Sequence, residues 1–413
     1  MAVTNHAASD RERDAASYSY TNLYTLTPPS GFTAVFPSQQ PEDIASGQAV
    51  GEASSTSTYH AMVFNGGVVT DVNPAAFLKS EALGTNGINQ VGYGFLTSTG
   101  VSHALLWSGS AASAVDLNPT SGFNGTFAYG TGGIQQVGNG TNSSSGSMNA
   151  LLWSGSAASV VNLQPTTGFG SSAAFGTDGV QQAGYGYITS GPTHALLWSG
   201  TAASVVDLNP VSGAGSVAYY TFGGQQVGVL ANGSSHAMVW NGTAASAVDL
   251  NPTNLTGFTT SYAYGTNGIQ QVGTGSGIAT GGDSHQHALL WSDTSNSAID
   301  LGALLPSSIV SSEAYSIDAT GNVFGIATDS SGVYYATEWS AVPEPSATVM
   351  LAIAAVAFLC SHAGIQPNVI DNQAAYLAGW LKQIKADKKL IISAAGQAQR
   401  ATDWIRGERG AVI

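Results

Sequence analysis

Short apolar runs recur along the whole chain, each bounded by Gly, Ser, Thr or Asn. Residues 103–107, His-Ala-Leu-Leu-Trp, form such a run, which is typical of a strand packed on both faces. Residues 115–118 alternate apolar and polar positions, and Pro119 ends them because proline cannot donate to a β-ladder. The small residues at 128–130 and the Gln-Gln-Val-Gly phrase at 135–138 predict two more strands. One unit of the chain therefore holds four short strands.

The same four phrases recur seven times, at a spacing of about 45 residues, which is typical of a propeller blade. The aromatic residue that ends the apolar run marks each unit: Phe64, Trp107, Trp153, Trp198, Trp240, Trp291 and Trp339. We predict an all-β fold with a disordered segment over residues 1–22 and a seven-bladed β-propeller over residues 23–340. A hydrophobic helix and a small C-terminal α-helical hairpin are predicted to follow it.

The phase of the repeat predicts how the ring closes. Residues 26–32, Leu-Thr-Pro-Pro-Ser-Gly-Phe, resemble residues 117–123 of a complete unit, and the last unit ends at Trp339. If this phrase is an outer strand, the strand near Leu26 pairs beside the strand that ends at Trp339. Such closure removes exposed sheet edges. An open β-solenoid is the alternative, and the absence of a polar capping repeat disfavours it.

A His-Ala phrase opens the third strand of five units, with His60, His103, His194, His236 and His287. With the regularly spaced Gln-Val-Gly phrase, it makes residues 23–340 resemble the HAF-repeat family of bacterial extracellular proteins. The resemblance implies an extracellular setting and no defined activity. We interpret the histidine column as structural, because a metal site needs three or four ligands converging on one ion.

Aspartates form a second column, in which Asn162 stands in the third unit: Asp71, Asp116, Asp207, Asp249 and Asp300. A glycosidase needs two carboxylates about 5–9.5 Å apart, and an acid repeated around a ring fits turn or strand-end hydrogen bonds better. A third column is mostly aromatic and contains Tyr129, Phe175, Tyr219, Tyr264 and Tyr315, with Val35 and Leu83 in two units. Because Val and Leu can replace the aromatic residue, we interpret this column as a packing position and not as a surface that stacks on sugar rings.

An amide column is present in all seven units: Gln48, Asn89, Gln135, Gln181, Gln225, Gln270 and Asn322. Amides carry both donors and acceptors, so they can join neighbouring blades. They can also line a polar channel or a sugar-binding surface, which makes this column the candidate for ligand contact.

The charge of the chain is acidic and unevenly distributed. It has 24 acidic and 10 basic residues, and Lys79 is the only base between Arg13 and Lys382. Such a body neutralises few phosphates, so nucleic acid is an unlikely partner. The chain has no His-Glu-x-x-His, Gly-x-Ser-x-Gly, phosphate loop or Cys-x-x-Cys. We therefore expect no catalytic residue, no metal and no cofactor, and a protein that is not an enzyme.

Residues 341–364 resemble a PEP-CTERM sorting signal, since Pro343, Glu344 and Pro345 precede the apolar run of 347–360. The resemblance implies processing by an exosortase, contact with the membrane through residues 347–363, and a location at the bacterial cell envelope or outside it. The basic cluster usual in that family is absent, and residues 1–20 hold no apolar run of signal-peptide length. A buried core helix is the alternative.

The tail, residues 365–413, has helical spacing of apolar positions and seven of the ten basic residues. Its phrases 372–382 and 394–401 are similar to the C-terminal end of ArdC-type antirestriction proteins, which pair a single-strand DNA-binding domain with a zinc metallopeptidase domain. The similar stretch includes no zinc ligand or catalytic glutamate of that family.

The expected function is that of a non-catalytic surface or envelope repeat protein. It would bind polysaccharide or another surface protein through one face of the propeller. One alternative is a propeller enzyme that acts on glycans, which requires two carboxylates that meet at the channel. The other is a fusion whose tail derives from a DNA-associated antirestriction protein.

Overall fold

A computed structural model of the protein describes residues 18–38, 44–189 and 191–341. Tyr18–Ser340 form one compact unit of seven antiparallel sheets. The predicted sorting signal, hydrophobic helix and helical hairpin lie outside the described residues. The described part contains no α-helix and no helix that is long and apolar enough to cross a membrane.

Each sheet is one blade, numbered here in chain order. From the innermost strand outwards, blade 1 consists of β2 (Ala34–Pro37), β4 (Gln48–Ser54), β5 (Tyr59–Asn65) and β6 (Val68–Asp71), with β3 (Ile44–Ala45) beside β4. Blade 2 consists of β7 (Phe77–Thr85), β8 (Gln90–Leu96), β9 (Ser102–Trp107) and β10 (Val115–Asp116). Blade 3 consists of β11 (Phe123–Gly132), β12 (Gln135–Asn142), β13 (Met148–Trp153) and β14 (Val161–Asn162), and blade 4 of β15 (Phe169–Thr177), β16 (Gln182–Ile188), β17 (Thr193–Trp198) and β18 (Val206–Asp207).

Blades 5 to 7 continue the pattern with β19 (Gly215–Phe222), β20 (Gln225–Asn232), β21 (Ser234–Trp240) and β22 (Val248–Asp249); β23 (Phe258–Thr266), β24 (Gln271–Gly277), β25 (Gly282–Trp291) and β26 (Ile299–Asp300); and β27 (Ile309–Ile317), β28 (Val323–Asp329), β29 (Tyr334–Ala341) and β1 (Tyr18–Thr25). Short 3-10 turns lie at Ala111–Ser113, Ala157–Ser159, Ala202–Ser204, Ala244–Ser246, Ile278–Thr280, Ser295–Ser297 and Gly302–Leu304. The innermost strands of blades 2 to 7 contact one another in succession, and β3 of blade 1 contacts both β7 and β27, so the sheets are arranged around a common axis. The predicted seven-bladed propeller is confirmed.

The ring closes as the phase of the repeat predicts. Strand β1 is the outer strand of blade 7 and pairs with β29, which carries Trp339. The Leu26 N–H donates to the Tyr334 carbonyl over 2.9 Å. The strand begins at Tyr18, inside the segment that we predict to be disordered, because the closing strand extends further towards the N-terminus than its repeat phrase.

The hydrophobic core lies between blades. The third strands of blades 2 to 7 each carry a fully buried tryptophan at or near their end: Trp107, Trp153, Trp198, Trp240, Trp291 and Trp339. Trp107 and Leu105 of blade 2, for example, belong to one cluster with Val50 and Ala61 of blade 1. Each blade is therefore stabilised by its neighbours through apolar burial, as expected for a radial array of sheets.

The glycine of the Gln-Val-Gly phrase is required by close approach of the backbone. A Cβ atom on Gly138 would lie 1.9 Å from the Phe127 carbonyl oxygen of the adjacent inner strand. The equivalent Gly92 and Gly273 would place a Cβ atom 2.0 and 1.9 Å from such an oxygen. These distances exclude any side chain, which accounts for the glycine in every unit.

Candidate functional site

The inner strands carry a β-bulge in the same place in six blades. In blade 3 the pairing skips from Ala128 to Gly130, which leaves Tyr129 as the extra residue. The skipped residues of blades 2 to 7 are those of the predicted aromatic column: Leu83, Tyr129, Phe175, Tyr219, Tyr264 and Tyr315. A β-bulge changes the direction in which the side chain of its extra residue points, so the repeated bulge gives the residues of this column a common orientation.

The aromatic residues of this column form a row of adjacent rings across blades 3 to 7. Ring centroids lie 5.3 Å apart for Tyr129 and Phe175, 6.0 Å for Phe175 and Tyr219, 5.5 Å for Tyr219 and Tyr264, and 5.3 Å for Tyr264 and Tyr315. Neighbouring rings therefore pack against one another, while the Tyr129 hydroxyl also accepts from Asn139 and the Tyr315 hydroxyl donates to Glu313. A cavity of about 160 Å³ opens beside Tyr315 at the ends of the inner strands.

The histidine and aspartate columns pair with each other. In five blades a histidine Nδ1 lies 2.7–3.0 Å from the aspartate carboxylate of the outer strand, as in His194 and Asp207. In blade 3 both partners are replaced, by Asn149 and Asn162. The pairs join the third strand to the outer strand, and the described residues contain no group of three or more His, Cys, Asp or Glu placed to hold a metal ion.

The amide column joins blades in pairs. Gln48 Oε1 accepts from Gln90 Nε2 of blade 2 over 2.7 Å, and Gln135 and Gln225 accept equivalent bonds from blades 4 and 6. Asn89 accepts from Ser108, and Asn322 donates to Asp318. Within the described part of the chain, no side-chain hydrogen bond is present for Gln181 or Gln270, which are half-buried. Contact of this column with a ligand stays a prediction.

A second glutamine column, one residue further on, was missed by sequence reasoning: Gln90, Gln136, Gln182, Gln226 and Gln271. Each Oε1 accepts a backbone N–H of the loop after the third strand over 2.8 Å. Each Nε2 donates to a backbone carbonyl of its own hairpin. The doubled glutamine in Gln-Gln-Val-Gly is the pattern that could have revealed this structural clamp.

Three charged residues break the repeat at the inner ends of blades 1 and 2. Lys79 stands in a column that otherwise contains Gly125, Ser171, Gly215, Thr260 and Ser311. Glu81 stands in a column with Phe127, Ala173, Val217, Tyr262 and Glu313, and Glu52 in one with Tyr93, Asn139, Tyr185, Val229, Thr274 and Ile326. Glu313 of blade 7 shares the Glu81 column and accepts a hydrogen bond from Tyr315, but blades 3 to 6 have no charged residue at any of these three positions. The fold of a blade therefore does not require these charges.

These charges and the aromatic residues beside them are called here the central cluster: Glu52, Tyr59, Lys79, Glu81, Tyr93 and Phe95. Tyr93 donates to Glu81 Oε2 over 2.8 Å. The Lys79 ammonium lies 4.8 Å from the ring centroid of Tyr59 and 4.7 Å from that of Phe95. All six side chains are half-buried, so they combine partial desolvation with access from solvent.

Partial burial shifts the protonation of the central cluster. Burial, together with the nearby charge of Glu81, raises the pKa of Glu52 to about 7, although Lys79 opposes the shift. Burial also raises the pKa of Glu81, and the hydrogen bond from Tyr93 opposes that shift. Burial and the charge of Glu81 raise the pKa of the Tyr93 hydroxyl, which therefore stays protonated and donates. The cluster offers one carboxyl that titrates near neutrality beside a second carboxyl.

Glu52 and Glu81 belong to no column in which most units carry an acid, so the repeat pattern alone does not single them out. Lys79 was noted only as an isolated base. The useful pattern is the opposite one, a chemically reactive residue that interrupts a column. No sequence rule showed that the interruptions of two different blades come together.

No protein of curated function matches the chain. Among solved structures, the puromycin hydrolase S511A mutant complexed with PGG is 11% identical over 71% of this chain and 50% of that chain, with a TM-score of 0.48. TolB from Acinetobacter baumannii is 14% identical over 61% of this chain and 63% of that chain, with a TM-score of 0.39. Oligogalacturonate lyase in complex with manganese is 8% identical over 80% of this chain and 99% of that chain, with a TM-score of 0.43. The chain thus spans half of the first of these proteins and less than two thirds of the second.

Residues 343–397 match the family model of a zincin-like metallopeptidase, MPTase-PolyVal. This match is consistent with the antirestriction-type resemblance of the tail, and it overlaps the segment that resembles a sorting signal. It corrects the expectation that the chain is not an enzyme. That expectation is wrong because it treated this part of the chain as a non-catalytic fragment, whereas the matched family is one of peptidases. The match contains a single histidine, His362, and lies outside the described residues.

Proposed function

We propose that the propeller binds a polysaccharide chain at the central cluster. The observation that supports this is the concentration of half-buried aromatic and carboxyl groups around Glu52, Lys79 and Glu81, the charged residues that interrupt the repeat in the adjoining blades 1 and 2. The other columns of the propeller pack the blades together or join their strands, so the central cluster is the region whose residues have no such role in every blade.

The chemistry of the cluster suits sugars. The faces of Tyr59, Tyr93 and Phe95 supply flat apolar surface for a sugar ring, and tyrosine does so at a low cost in conformational entropy. The carboxyls of Glu52 and Glu81 can accept hydrogen bonds from vicinal hydroxyl groups. A few polar groups in an aromatic setting are typical of small-molecule sites.

The test is affinity electrophoresis of the full chain through gels that contain different soluble polysaccharides. We expect at least one polysaccharide to retard the wild-type protein. The double variant Glu81→Gln/Tyr93→Phe should migrate as it does in a gel without polysaccharide, while its far-ultraviolet circular dichroism stays unchanged. Equal retardation of both proteins by every polysaccharide would contradict the site.

A second candidate function is cleavage of the bound glycan, since the charges of Glu52 and Glu81 interact. Glycoside hydrolysis uses one protonated and one ionised carboxyl. Glu52, with a pKa of about 7, would protonate the leaving oxygen, and Glu81, which accepts from Tyr93, would take a proton from the water that attacks the sugar carbon. The release of reducing ends from a retarding polysaccharide tests this role, and loss of that release in Glu52→Gln with retardation in the gel kept would support it.

For the tail, the match to metallopeptidases supports peptide hydrolysis. We propose that residues 343–397 derive from such a family and that the chain joins this segment to a sugar-binding propeller of HAF type. Casein hydrolysis by the full chain, with and without a zinc chelator, and by His362→Ala tests the activity. The sorting-signal resemblance supports an envelope location, and fractionation of cells that express Pro343→Ala/Pro345→Ala tests it.

A further inference from the structure

The charges around the central cluster indicate which class of sugar it binds. We propose that the bound unit is an amino sugar whose ammonium group lies against Glu81 and Glu52, and this inference rests on the proposed polysaccharide binding. The feature that carries it is a set of aromatic faces and two carboxyl groups with no cation paired to them.

The carboxyls of the cluster lack an ion-pair partner within the described residues, where every ion pair within 4.0 Å joins a histidine to an aspartate. Lys79 is the only Lys or Arg in the described residues; its charge lowers the pKa of Glu52, but its ammonium group lies more than 4.0 Å from the carboxyl oxygens of Glu52 and Glu81. Half-buried carboxyls without a paired cation are poorly stabilised in their ionised form. A ligand that brings its own ammonium group supplies the missing charge.

Lys79 shows that an ammonium group fits the aromatic surface of this cluster. Its Nζ lies within 4.8 Å of the ring centroids of both Tyr59 and Phe95, a distance typical of cation–π contacts. The face of Tyr93 lies in the same group of rings, 5.6 Å from Phe95 and 4.7 Å from Phe127. The tyrosine faces beside Glu81 thus offer an equivalent environment for an ammonium group of the ligand.

The net charge of the chain also favours a cationic ligand over an anionic one. Its formal net charge is −14, and such a field concentrates cationic ligands near the surface and repels polyanions. An acidic sugar would have to pair with Lys79 alone, next to two carboxyls. The charge balance therefore favours an amino sugar over a uronate.

Isothermal titration of the full chain with three oligosaccharides of equal length tests the inference: glucosamine, N-acetylglucosamine and galacturonate oligomers, at a pH near 7, where Glu52 is partly ionised and part of the glucosamine amine is protonated. We expect the glucosamine oligomer to bind at least about tenfold more tightly than its acetylated counterpart, which is about 1.4 kcal/mol. Glu81→Gln should remove that preference. Lys79→Met should leave the glucosamine affinity equal or higher, because it removes a competing cation. Thermal melting of each variant reports its folding.

The outcomes separate this inference from the proposed function. Equal affinity for the glucosamine and N-acetylglucosamine oligomers would overturn the amino-sugar assignment and keep sugar binding. Tightest binding of the galacturonate oligomer, lost in Lys79→Met, would replace the amino sugar by a uronate. No binding of any of the three, together with no polysaccharide in the electrophoresis panel, would overturn both.

Discussion

Tyr93, on the second strand of blade 2, donates a hydrogen bond of 2.8 Å to Glu81, on the innermost strand of the same blade. The same two columns hold Tyr185 with Ala173 in blade 4 and Val229 with Val217 in blade 5. The repeat thus provides its own reference, in which the fold is built without the polar pair. This comparison separates groups that the propeller needs from groups that serve another purpose.

The two glutamine columns should differ in their contribution to stability. Gln182 makes hydrogen bonds to Gly200, Val180 and Gln135, so Gln182→Ala leaves buried partners unsatisfied and should cost about 1–3 kcal/mol. Gln181→Ala is the matched control and should change stability by less than about 0.5 kcal/mol. Urea unfolding of both variants measures the difference, and equal losses would contradict the clamp.

The buried tryptophans should carry a large share of the stability. Trp198 is fully buried between blades, and Trp198→Ala should cost about 3–5 kcal/mol. Ile134→Ala, at a residue that is 78% exposed, is the control and should be nearly neutral. An unchanged melting temperature for Trp198→Ala would be incompatible with this core.

The histidine–aspartate pairs should behave as coupled partners. His194 Nδ1 lies 2.7 Å from Asp207, whereas blade 3 has asparagine at both positions. We expect His194→Asn and Asp207→Asn each to lower the unfolding free energy. The double variant should lose less than the sum, by about 0.5–1 kcal/mol for a partly exposed pair. A double-mutant cycle measures this coupling, and strict additivity would show that the contact contributes nothing.

Glu52 should make stability depend on pH between its unfolded and folded pKa. The folded pKa is raised from 4.5 to about 7, so the folded state binds more protons in this window and stability falls as the pH rises through it. Glu52→Gln should therefore be neutral below pH 4.5 and more stable than wild type above about pH 7. Melting curves across this range test the sign, and a variant that is less stable at high pH would refute it.

The sequence was sufficient to predict the architecture. Its period, its seven Trp or Phe positions and the phase of residues 26–32 give the blade number and the strand that closes the ring. These features are repeated seven times, so each unit supports the interpretation of the others. The start of the closing strand could not be predicted, because Tyr18–Thr25 lies upstream of the recognisable phrase.

The candidate site was much less predictable. The amide column that contains Gln181 shows that each blade has an amide side chain at this position. The hydrogen-bond partner of each amide, however, depends on hairpin geometry that differs between neighbouring blades. Glu52 is the one acid in its column and Glu81 shares its column with Glu313, and the proximity of Glu52 to Glu81 follows from the packing of blades 1 and 2. One sequence without relatives carries no pattern for such a contact.

The most direct test of the central cluster compares one tyrosine in two blades. Tyr93 and Tyr185 occupy the same column, follow the same glycine and are both half-buried, but only Tyr93 contacts Glu81. Isothermal titration of the full chain with the polysaccharide fragment that the wild type binds best should show at least about a tenfold loss of affinity for Tyr93→Ala. Tyr185→Ala should retain wild-type affinity. Equal losses in both variants, or no loss in Tyr93→Ala, would contradict a ligand site at the central cluster.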